Sequence, residues 1–419
     1  MQIVQLEIKG YRTLRNVLWK PGNLNIIIGP NASGKSNILR LLELIQTSVW
    51  GMMEDIIQNS GGMLSILWDG QDRDLAIIIS LSEDSNELKA TISYSLELKR
   101  IGKSNAYTIF DEAIAHILPS NHEDDWTVPR ILHRRSTDAF YSDDDDEKVE
   151  LQGGEILSSS ETLLSRVRAF PKISILIDRV AQNLNNYEIY PELRLDQLAP
   201  VRQPVVSRFE ERLDPDGQNL TSVLHTVYES DLAFQENIDR AMTAAFGDDY
   251  RGLAFPPAGT QRVELSLRWK SLSRPQPAAV LSDGTLRFLF LITALSLPKL
   301  PSLICIDEPE TGLHPSMLPI IAEYAANAAQ RTQVVLTTHS VQFLDAFSEY
   351  NPTTTVAQLK DGETKLVTLD GEKLAYWLRE YSLGALFGSG ELENMAQDAL
   401  EEEEEAGSHE RESVGEDAE

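Results

Sequence analysis

The chain reads Gly29-Pro30-Asn31-Ala32-Ser33-Gly34-Lys35-Ser36 between a predicted apolar strand, Leu24 to Ile28, and a predicted helix, Asn37 to Leu44. This is the pattern G-x-x-x-x-G-K-[ST], in which two glycines let backbone N–H groups turn toward phosphates. The lysine reaches the outer phosphates and the final serine is placed for Mg²⁺. The stretch therefore predicts a phosphate loop that binds a nucleoside triphosphate. The expected binding residues are Asn31, Ala32, Ser33, Gly34, Lys35, Ser36 and Asn37, with Ser36 also binding the metal.

Two carboxylates follow a second apolar run, Leu303-Ile304-Cys305-Ile306-Asp307-Glu308-Pro309. Such a run is typical of a buried parallel strand that carries a site at its carboxyl end. We expect Asp307 to hold Mg²⁺ through water and Glu308 to polarise the attacking water. The single cysteine, Cys305, lies inside the run, which favours a core position over a reactive thiol.

Two further segments add candidate contacts to the phosphates. The apolar strand predicted over residues 333–340 ends near His339, which could contact the γ-phosphate. A strand-end histidine that stands alone is more often structural, but the two preceding motifs favour the ligand role. The segment Leu281-Ser282-Asp283-Gly284-Thr285 opens a predicted apolar helix over residues 286–297. The Ser282 hydroxyl and the Gly284 N–H at such a helix start would form an anion site.

The order of these four motifs resembles that of ATP-binding-cassette (ABC) ATPases, specifically their soluble SMC/RecF/OLD-like branch. The stretch from Asp307 to Pro315 is similar to the D-E-P-E-x-x-L-H-P form of compact "AAA family" ATPases that often lie beside bacterial defence genes. The resemblance covers roughly residues 1–50 and 275–385. It implies an α/β fold: a P-loop NTPase with an ABC-type head, built on a mixed sheet plus a central parallel sheet, and an α+β insertion lobe. ATP and Mg²⁺ are the implied cofactors.

The same resemblance implies further roles. Arg12 stands where relatives place an arginine near the nucleotide, although a solvated loop arginine is the alternative. Relatives present the residues that match Ser282 and Gly284 to the other protomer's γ-phosphate, so the chain is expected to form an ATP-sandwiched homodimer or a higher assembly. Thr285 and His314 replace the glutamine and aspartate usual in transporters, which favours the soluble branch.

The biological role also rests on resemblance alone. The first hypothesis is an ATPase that regulates a separately encoded effector in bacterial antiviral defence. A nuclease is one candidate effector, because too few residues follow His339 for the nuclease module of OLD-type relatives. The alternative is a RecF-like DNA-binding repair or chromosome-associated ATPase.

Length and composition set outer limits. The 419 residues allow two to three domains. We expect the two parts of the ATPase head at residues 1–84 and 261–398, an insertion lobe at 85–260 and a disordered acidic tail at 399–419. In the second part of the head, residues 263–269 are expected to form one strand and Asp361-Gly362 the tight turn of a hairpin. No apolar run is long enough for a membrane span and no signal peptide is evident, so a cytoplasmic location is expected.

Charge argues against a chain-wide affinity for nucleic acid, because the net charge is −28. An acidic run at 142–147 reads as an exposed flexible loop rather than a calcium loop. In relatives, a glutamine called the Q-loop residue couples the metal to the nucleotide. That residue is not assigned in this chain, and Gln71 is a guess. The basic concentrations that could serve DNA read as solvated charge because no aromatic residues are interleaved for stacking. They are Arg130, His133, Arg134 and Arg135, with Arg202, Arg208 and Arg212.

Overall fold

The computed structural model describes residues 1–70, 72–82, 91–117, 129–135, 138–151, 158–170 and 172–402. The chain forms two compact units. Unit 1 contains Met1–Tyr187 and Pro352–Glu419, and unit 2 contains Glu188–Asn351. The division predicted from the sequence, with boundaries at residues 84, 260 and 398, stays a prediction. Gln71 lies outside the described residues. In the described part of the chain, every helix is too short or too polar to reach across a bilayer.

The strands range in length from two residues to eleven. In chain order they are β1 Gln2–Tyr11, β2 Leu14–Trp19, β3 Leu24–Ile28, β4 Asp74–Ser82, β5 Thr91–Arg100, β6 Tyr107–Ile117, β7 Arg130–Arg135, β8 Asp138–Ser142, β9 Lys148–Glu150, β10 Tyr187–Tyr190, β11 Val205–Val206, β12 Tyr250–Ala254, β13 Arg262–Val263, β14 Ser266–Trp269, β15 Gln276–Pro277, β16 Leu303–Asp307, β17 Gln333–Thr338, β18 Thr353–Lys360 and β19 Glu363–Thr368.

The helices are mostly short, and the longest follows the phosphate loop. In chain order they are α1 Lys35–Trp50, α2 Met53–Asn59, α3 Met63–Ile66, α4 Leu163–Arg166, α5 Ile175–Asn185, α6 Leu220–Ser230, α7 Leu232–Phe246, α8 Asp283–Ser296, α9 Leu318–Ala328, α10 Val341–Asp345, α11 Gly371–Trp377, α12 Leu383–Gly388 and α13, described over residues 391–402.

Unit 1 contains an eight-stranded antiparallel sheet in the order β2-β1-β4-β5-β6-β7-β8-β9. Its strands alternate between a buried and a more exposed face, as β5 shows: Ile92, Tyr94, Leu96 and Leu98 are buried. This period of two is expected of a sheet that packs one face on a core. The acidic run at 142–147 is the turn of the β8–β9 hairpin, where the Asp143 carboxylate accepts hydrogen bonds from two backbone N–H groups.

The phosphate-loop strand also belongs to unit 1. β3 pairs in parallel with β18, and β18 forms an antiparallel hairpin with β19. Asp361 and Gly362 both have positive φ in the connecting turn, so the predicted Asp-Gly hairpin is present. Helix α1 runs to Trp50 rather than Leu44 and ends at Gly51, which adopts a left-handed conformation.

The C-terminal part of unit 1 is more helical than expected. Leu392 and Ala396 are fully buried and lie one helical turn apart on α13. Burial of both apolar side chains on one face favours helix through residue 402. Residues 399–402 are therefore helical and differ from the predicted disordered tail. The remaining tail residues lie outside the described part of the chain.

Unit 2 places the second pair of motif strands side by side. β16 and β17 pair in parallel, with Leu303 opposite Gln333 and Asp307 opposite Thr337. Helix α9 joins them, as the strand–helix–strand pattern predicts. All six residues of β17 and the first four of β16 are buried. Both motif strands thus end at the same edge, where the polar residues begin.

One predicted strand of unit 2 is wrong. Residues 263–269 do not form a single strand, because Val263 in β13 pairs with β11, whereas β14 pairs with β12 and β15. The two short strands belong to different sheets. Their apolar alternation suits a strand, but the pairing partners lie far away in sequence and decide the break.

Candidate functional site

The phosphate loop is held in a conformation that exposes backbone N–H groups at the start of α1. Gly34 has φ of 97°, Ala32 has φ of 65°, and α1 has no side-chain cap at Gly34. The uncapped start of a sixteen-residue helix is a favourable position for an anion. The Lys35 ammonium is 5% exposed and donates to the carbonyls of Gly29 (2.7 Å) and Pro30 (2.9 Å). The cation therefore lies within the loop that it closes.

Two threonines from other elements brace this loop. A Cβ on Gly34 would lie 2.1 Å from Thr364 Oγ1 and 2.7 Å from Thr13 Oγ1. Thr364 Oγ1 also donates to the Ser33 carbonyl at 2.9 Å. The Asn37 side chain, predicted to bind nucleotide, donates to Thr13 Oγ1 at 2.8 Å. Only glycine fits position 34, and the Asn37 amide supports the loop from behind.

Arg12 has a partly buried environment in unit 1. Its backbone adopts φ of 46°, its N–H donates to the Ile66 carbonyl, and its guanidinium carbon lies 5.7 Å from the Tyr11 ring centroid. The buried Nε has no hydrogen-bond partner among the described residues. These contacts differ from those of a fully solvated loop arginine. A role at the nucleotide stays a prediction.

In unit 2, Thr337 of β17 contacts both Asp307 and Glu308 at the end of β16. Its fully buried hydroxyl donates to Asp307 Oδ1 and accepts from the Glu308 N–H at 3.1 Å. The Glu308 backbone has φ of 45°, a conformation that a non-glycine residue adopts only when its surroundings enforce it. The Thr337 hydroxyl is one such constraint. It therefore positions the Asp307 carboxylate and the Glu308 backbone.

His339 contacts Glu308 directly. His339 Nδ1 and Glu308 Oε1 are 2.8 Å apart, and both side chains are partly exposed, at 42% and 34%. Because an ionised carboxylate only accepts, Nδ1 is assigned as the donor. The pair orients the carboxylate and leaves the histidine's Nε2 for another contact.

Two half-buried ionisable residues, Glu310 and Arg287, form hydrogen bonds at this strand end. Thr338 Oγ1 donates to Glu310, and burial raises the pKa of the Glu310 carboxyl. Arg287 of α8 donates to the Glu308 carbonyl at 3.0 Å, and burial lowers the pKa of its guanidinium. Arg287 therefore links α8, the helix that begins after Ser282, to the Glu308 backbone.

The segment from Leu281 to Thr285 forms the start of α8. Ser282 is the N-cap residue, and its hydroxyl accepts from the Thr285 N–H at 3.1 Å. A Cβ on Gly284 would lie 2.7 Å from the Gly312 carbonyl oxygen, so this close approach requires glycine. Ser282 itself is exposed. Its hydroxyl and the neighbouring N–H groups can therefore face a ligand or a partner.

Two of the basic residues predicted as solvated are buried instead. Arg202 is 5% exposed and donates to the carbonyls of Leu281 (2.7 Å) and Ala278 (3.1 Å) and to the Asp283 carboxylate. Arg134 is 3% exposed and donates to the carbonyls of Glu161 and Ser158. Guanidinium groups with backbone acceptors are structural here, and neither is available to DNA.

No aromatic residue is interleaved in the linear sequence of the basic segment at 130–135, but aromatic rings lie beside it in space, with Arg135 5.6 Å from the Phe110 ring centroid. Phe110 and Phe140 come from neighbouring strands, so the linear sequence hides them. Lys99 lies 3.5 Å from the Phe110 ring centroid and Lys148 lies 4.4 Å from that of Phe140. Carboxylates accompany these cations, as in the pair of Lys99 with Glu97 (3.1 Å). The face is mixed in charge rather than basic.

Comparison with known proteins identifies the family. A model of the family described as "AAA domain, putative AbiEii toxin, Type IV TA system" matches residues 24–345. The chain belongs to this family. No curated protein matches the sequence.

Solved structures of similar fold are SMC head domains. One is an Smc head bound to the C-winged helix domain of ScpA, with 12% identity and a TM-score of 0.52 over 90% of this chain and 100% of that chain. Another, from Pyrococcus furiosus, is an Smc head with an extended coiled coil bound to the C-terminal domain of ScpA. It has 12% identity and a TM-score of 0.51 over 90% of this chain and 99% of that chain. At such identities the likeness concerns the fold.

This AAA-domain protein therefore has the expected fold, an α/β P-loop NTPase of the ABC type, similar to that of SMC heads. Its family is one of ATPases. Sequence reasoning missed Thr13, Thr364, Thr337, Glu310 and Arg287. Of these five residues, Glu310 could have been found from the sequence. It is the third acidic residue of the D-E-P-E stretch and follows a buried strand, where a polar group needs a hydrogen-bond partner.

Proposed function

We propose that this AAA-domain protein binds ATP with Mg²⁺ at the phosphate loop and hydrolyses it with Glu308 as the carboxylate that polarises water. The observation that carries the proposal is the arrangement of Glu308, held at its backbone by Thr337 and at its carboxylate by His339. The residues fit the cofactors. The loop offers a buried Lys35 ammonium and an uncapped helix start to phosphates, and Ser36 and Asp307 offer oxygen ligands suited to Mg²⁺.

Each side chain then has a separate role. Lys35 attracts the outer phosphates, Glu308 accepts a proton from the attacking water, and the His339 Nδ1–H keeps the carboxylate oriented. Bound Mg²⁺ supplies neutralisation of the phosphate charge. Asn31, Ala32, Ser33, Gly34 and Asn37 would shape the loop around the phosphates, and Arg12 would add charge.

The exposed start of α8 supports self-association. We infer that Ser282 and Gly284 contact the γ-phosphate held by a second copy, so that ATP closes two chains around two nucleotides. The Ser282 hydroxyl and nearby N–H groups are the type of donors that bind anions at helix starts. Hydrolysis would remove the shared γ-phosphate and reopen the pair.

The biological output that we propose is regulation of a separately encoded effector in bacterial antiviral defence, in the cytoplasm. The family description names a putative toxin of a Type IV toxin–antitoxin system, and the SMC heads of similar fold are bound to a partner protein, ScpA. Both support a head that works with another protein. The DNA-binding alternative is supported less, because Arg134 and Arg202 are buried and the Phe110 face carries carboxylates among its cations.

The substitution Glu308→Gln tests the hydrolytic role. It keeps the side chain's size but removes the negative charge, so steady-state phosphate release should fall by about 10²-fold or more while ATP still binds. The exposed Glu349 provides the matched control, since Glu349→Gln removes a carboxylate elsewhere in unit 2. Turnover of Glu308→Gln at the rate of the control would remove Glu308 from the mechanism.

A further inference from the structure

A groove lies between α11 and α13 in unit 1, and none of the motif residues lines it. Its volume is about 500 Å³, which is enough to accept several side chains. The floor is apolar and is formed by Leu374, Met395 and Ala399. Tyr376 and Trp377 supply an aromatic wall, and Tyr376 is 68% exposed. An open apolar floor with an exposed aromatic wall is typical of a protein-binding groove.

The rim of the groove is acidic. Among the described lining residues, five carboxylates stand against one ammonium, that of Lys373, which lies 3.5 Å from Glu402. The Asp370 carboxylate accepts from the N–H groups of Glu372 (2.7 Å) and Lys373 (3.1 Å), and these bonds lower the pKa of its carboxyl. The rim is therefore negative at neutral pH. Its carboxylates are Asp370, Glu372, Glu391, Asp398 and Glu402.

The acidic rim disfavours two occupants of the groove, the chain's own C-terminal residues and a second copy of the chain. The chain's own residues 403–419 contain eight Asp or Glu and one Arg, so the rim would repel them. A second copy of the chain carries the same net charge of −28, which opposes self-docking at this groove. A positively charged segment meets attraction at the rim and an apolar surface at the floor. Its arginine or lysine side chains can also stack on Tyr376 or Trp377.

We propose that the groove between α11 and α13 binds a basic, amphipathic segment of a partner protein. An apolar side chain of the segment occupies the floor at Leu374 and Met395, while arginine or lysine side chains contact Glu391 and Asp398. The groove uses none of the residues assigned to ATP, so this inference does not depend on the ATPase proposal. It concerns the surface by which this protein recognises another.

The test is fluorescence anisotropy of the full chain with three labelled peptides of about 14 residues. The probe is an amphipathic helix with leucine and tryptophan on one face and four arginines beside it. In the first control peptide glutamate replaces arginine, and in the second serine replaces the apolar residues. We expect the probe to bind at least tenfold more tightly than either control, since charge and the apolar anchor both contribute.

Paired variants locate the binding. Glu391→Lys combined with Asp398→Lys should weaken the probe at least tenfold, and Trp377→Ala should weaken it as well. Glu349→Lys, a charge reversal on unit 2, is the matched control and should leave binding unchanged. Circular dichroism confirms that each variant is folded, and the neutral pair Glu391→Gln with Asp398→Asn provides a milder version. Equal binding of all three peptides, or binding that the groove variants do not weaken, would overturn the proposal. A change of oligomeric state in the groove variants would instead assign the groove to self-association and overturn it too.

Discussion

Glu308 owes its geometry to contacts from three other residues, Thr337, Arg287 and His339, rather than to its own strand. The Thr337 hydroxyl accepts from its backbone N–H, the Arg287 guanidinium donates to its carbonyl, and His339 Nδ1 lies 2.8 Å from its carboxylate. A left-handed φ of 45° is costly for glutamate and persists because these bonds over-determine it. The sequence revealed Glu308 as a candidate because it ends an apolar run. Of its supporting residues, only His339 was marked by the sequence, because it follows an apolar strand. Arg287 of α8 and Thr337 of β17 carry no local pattern that marks them.

The role of His339 can be separated from that of Glu308. His339→Ala removes the donor at Nδ1 and leaves Glu308 free to rotate, so kcat should fall by about 10-fold to 10²-fold. His339→Gln keeps an N–H donor and should recover part of the loss. Steady-state kinetics with ATP titrations distinguish the cause, because loss of orientation lowers kcat whereas loss of a phosphate contact raises KM. Wild-type kcat in His339→Ala would contradict the orienting role.

At the scale of elements, continuous apolar runs were the reliable signal. β3 has its predicted bounds, and β16 and β17 end within two residues of them, because parallel strands that are buried on both faces are mostly apolar along their length. Prediction failed where a partner distant in sequence decides the outcome. Arg134 looked solvated because the carbonyls that it binds lie 24 and 27 residues away. Residues 263–269 looked like one strand because their separate pairing partners do not show in the sequence.

A second element-level feature makes stability depend on pH. Glu112 of β6 is fully buried, and its carboxylate accepts from the N–H groups of Leu163 (2.7 Å) and Leu164 (3.0 Å) at the start of α4. Burial raises the pKa of Glu112 to about 7, against the opposing effect of those hydrogen bonds and of Arg134. The folded state therefore keeps a proton that the unfolded state, with a pKa near 4.5, has lost.

The stability that this proton contributes is fully present below about pH 4.5 and is lost as the pH rises toward about 7. Urea unfolding of the wild type should accordingly show a midpoint that declines across this window and no further decline from this group above it. Glu112→Gln cannot ionise, so its midpoint should vary less with pH, although the amide leaves one N–H of α4 without an acceptor and lowers stability throughout. Parallel pH profiles for the two proteins would contradict the assignment.

At the scale of the whole molecule, the account requires ATP to bring two chains together. Glu308→Gln should trap uncleaved ATP, and the mass in solution with Mg²⁺ and ATP should rise toward a dimer or a higher assembly. Adding Ser282→Arg places bulk and a cation at the start of α8 and should reverse that rise. The exposed Ser230, at the end of α6 in the same unit, provides a control in Ser230→Arg. A mass that ignores ATP in Glu308→Gln would contradict closure around the nucleotide.

The central claim is that the phosphate loop of unit 1 binds ATP for hydrolysis, and Lys35 tests it most directly. Titration of a fluorescent ATP analogue and phosphate release should be measured together on wild type, Lys35→Ala and Lys360→Ala. Lys35 is buried inside the loop, whereas Lys360 is exposed at the end of β18. The account predicts that Lys35→Ala loses both nucleotide binding and Mg²⁺-dependent phosphate release while remaining folded, and that Lys360→Ala behaves as wild type. Wild-type binding and turnover in a folded Lys35→Ala protein would contradict it.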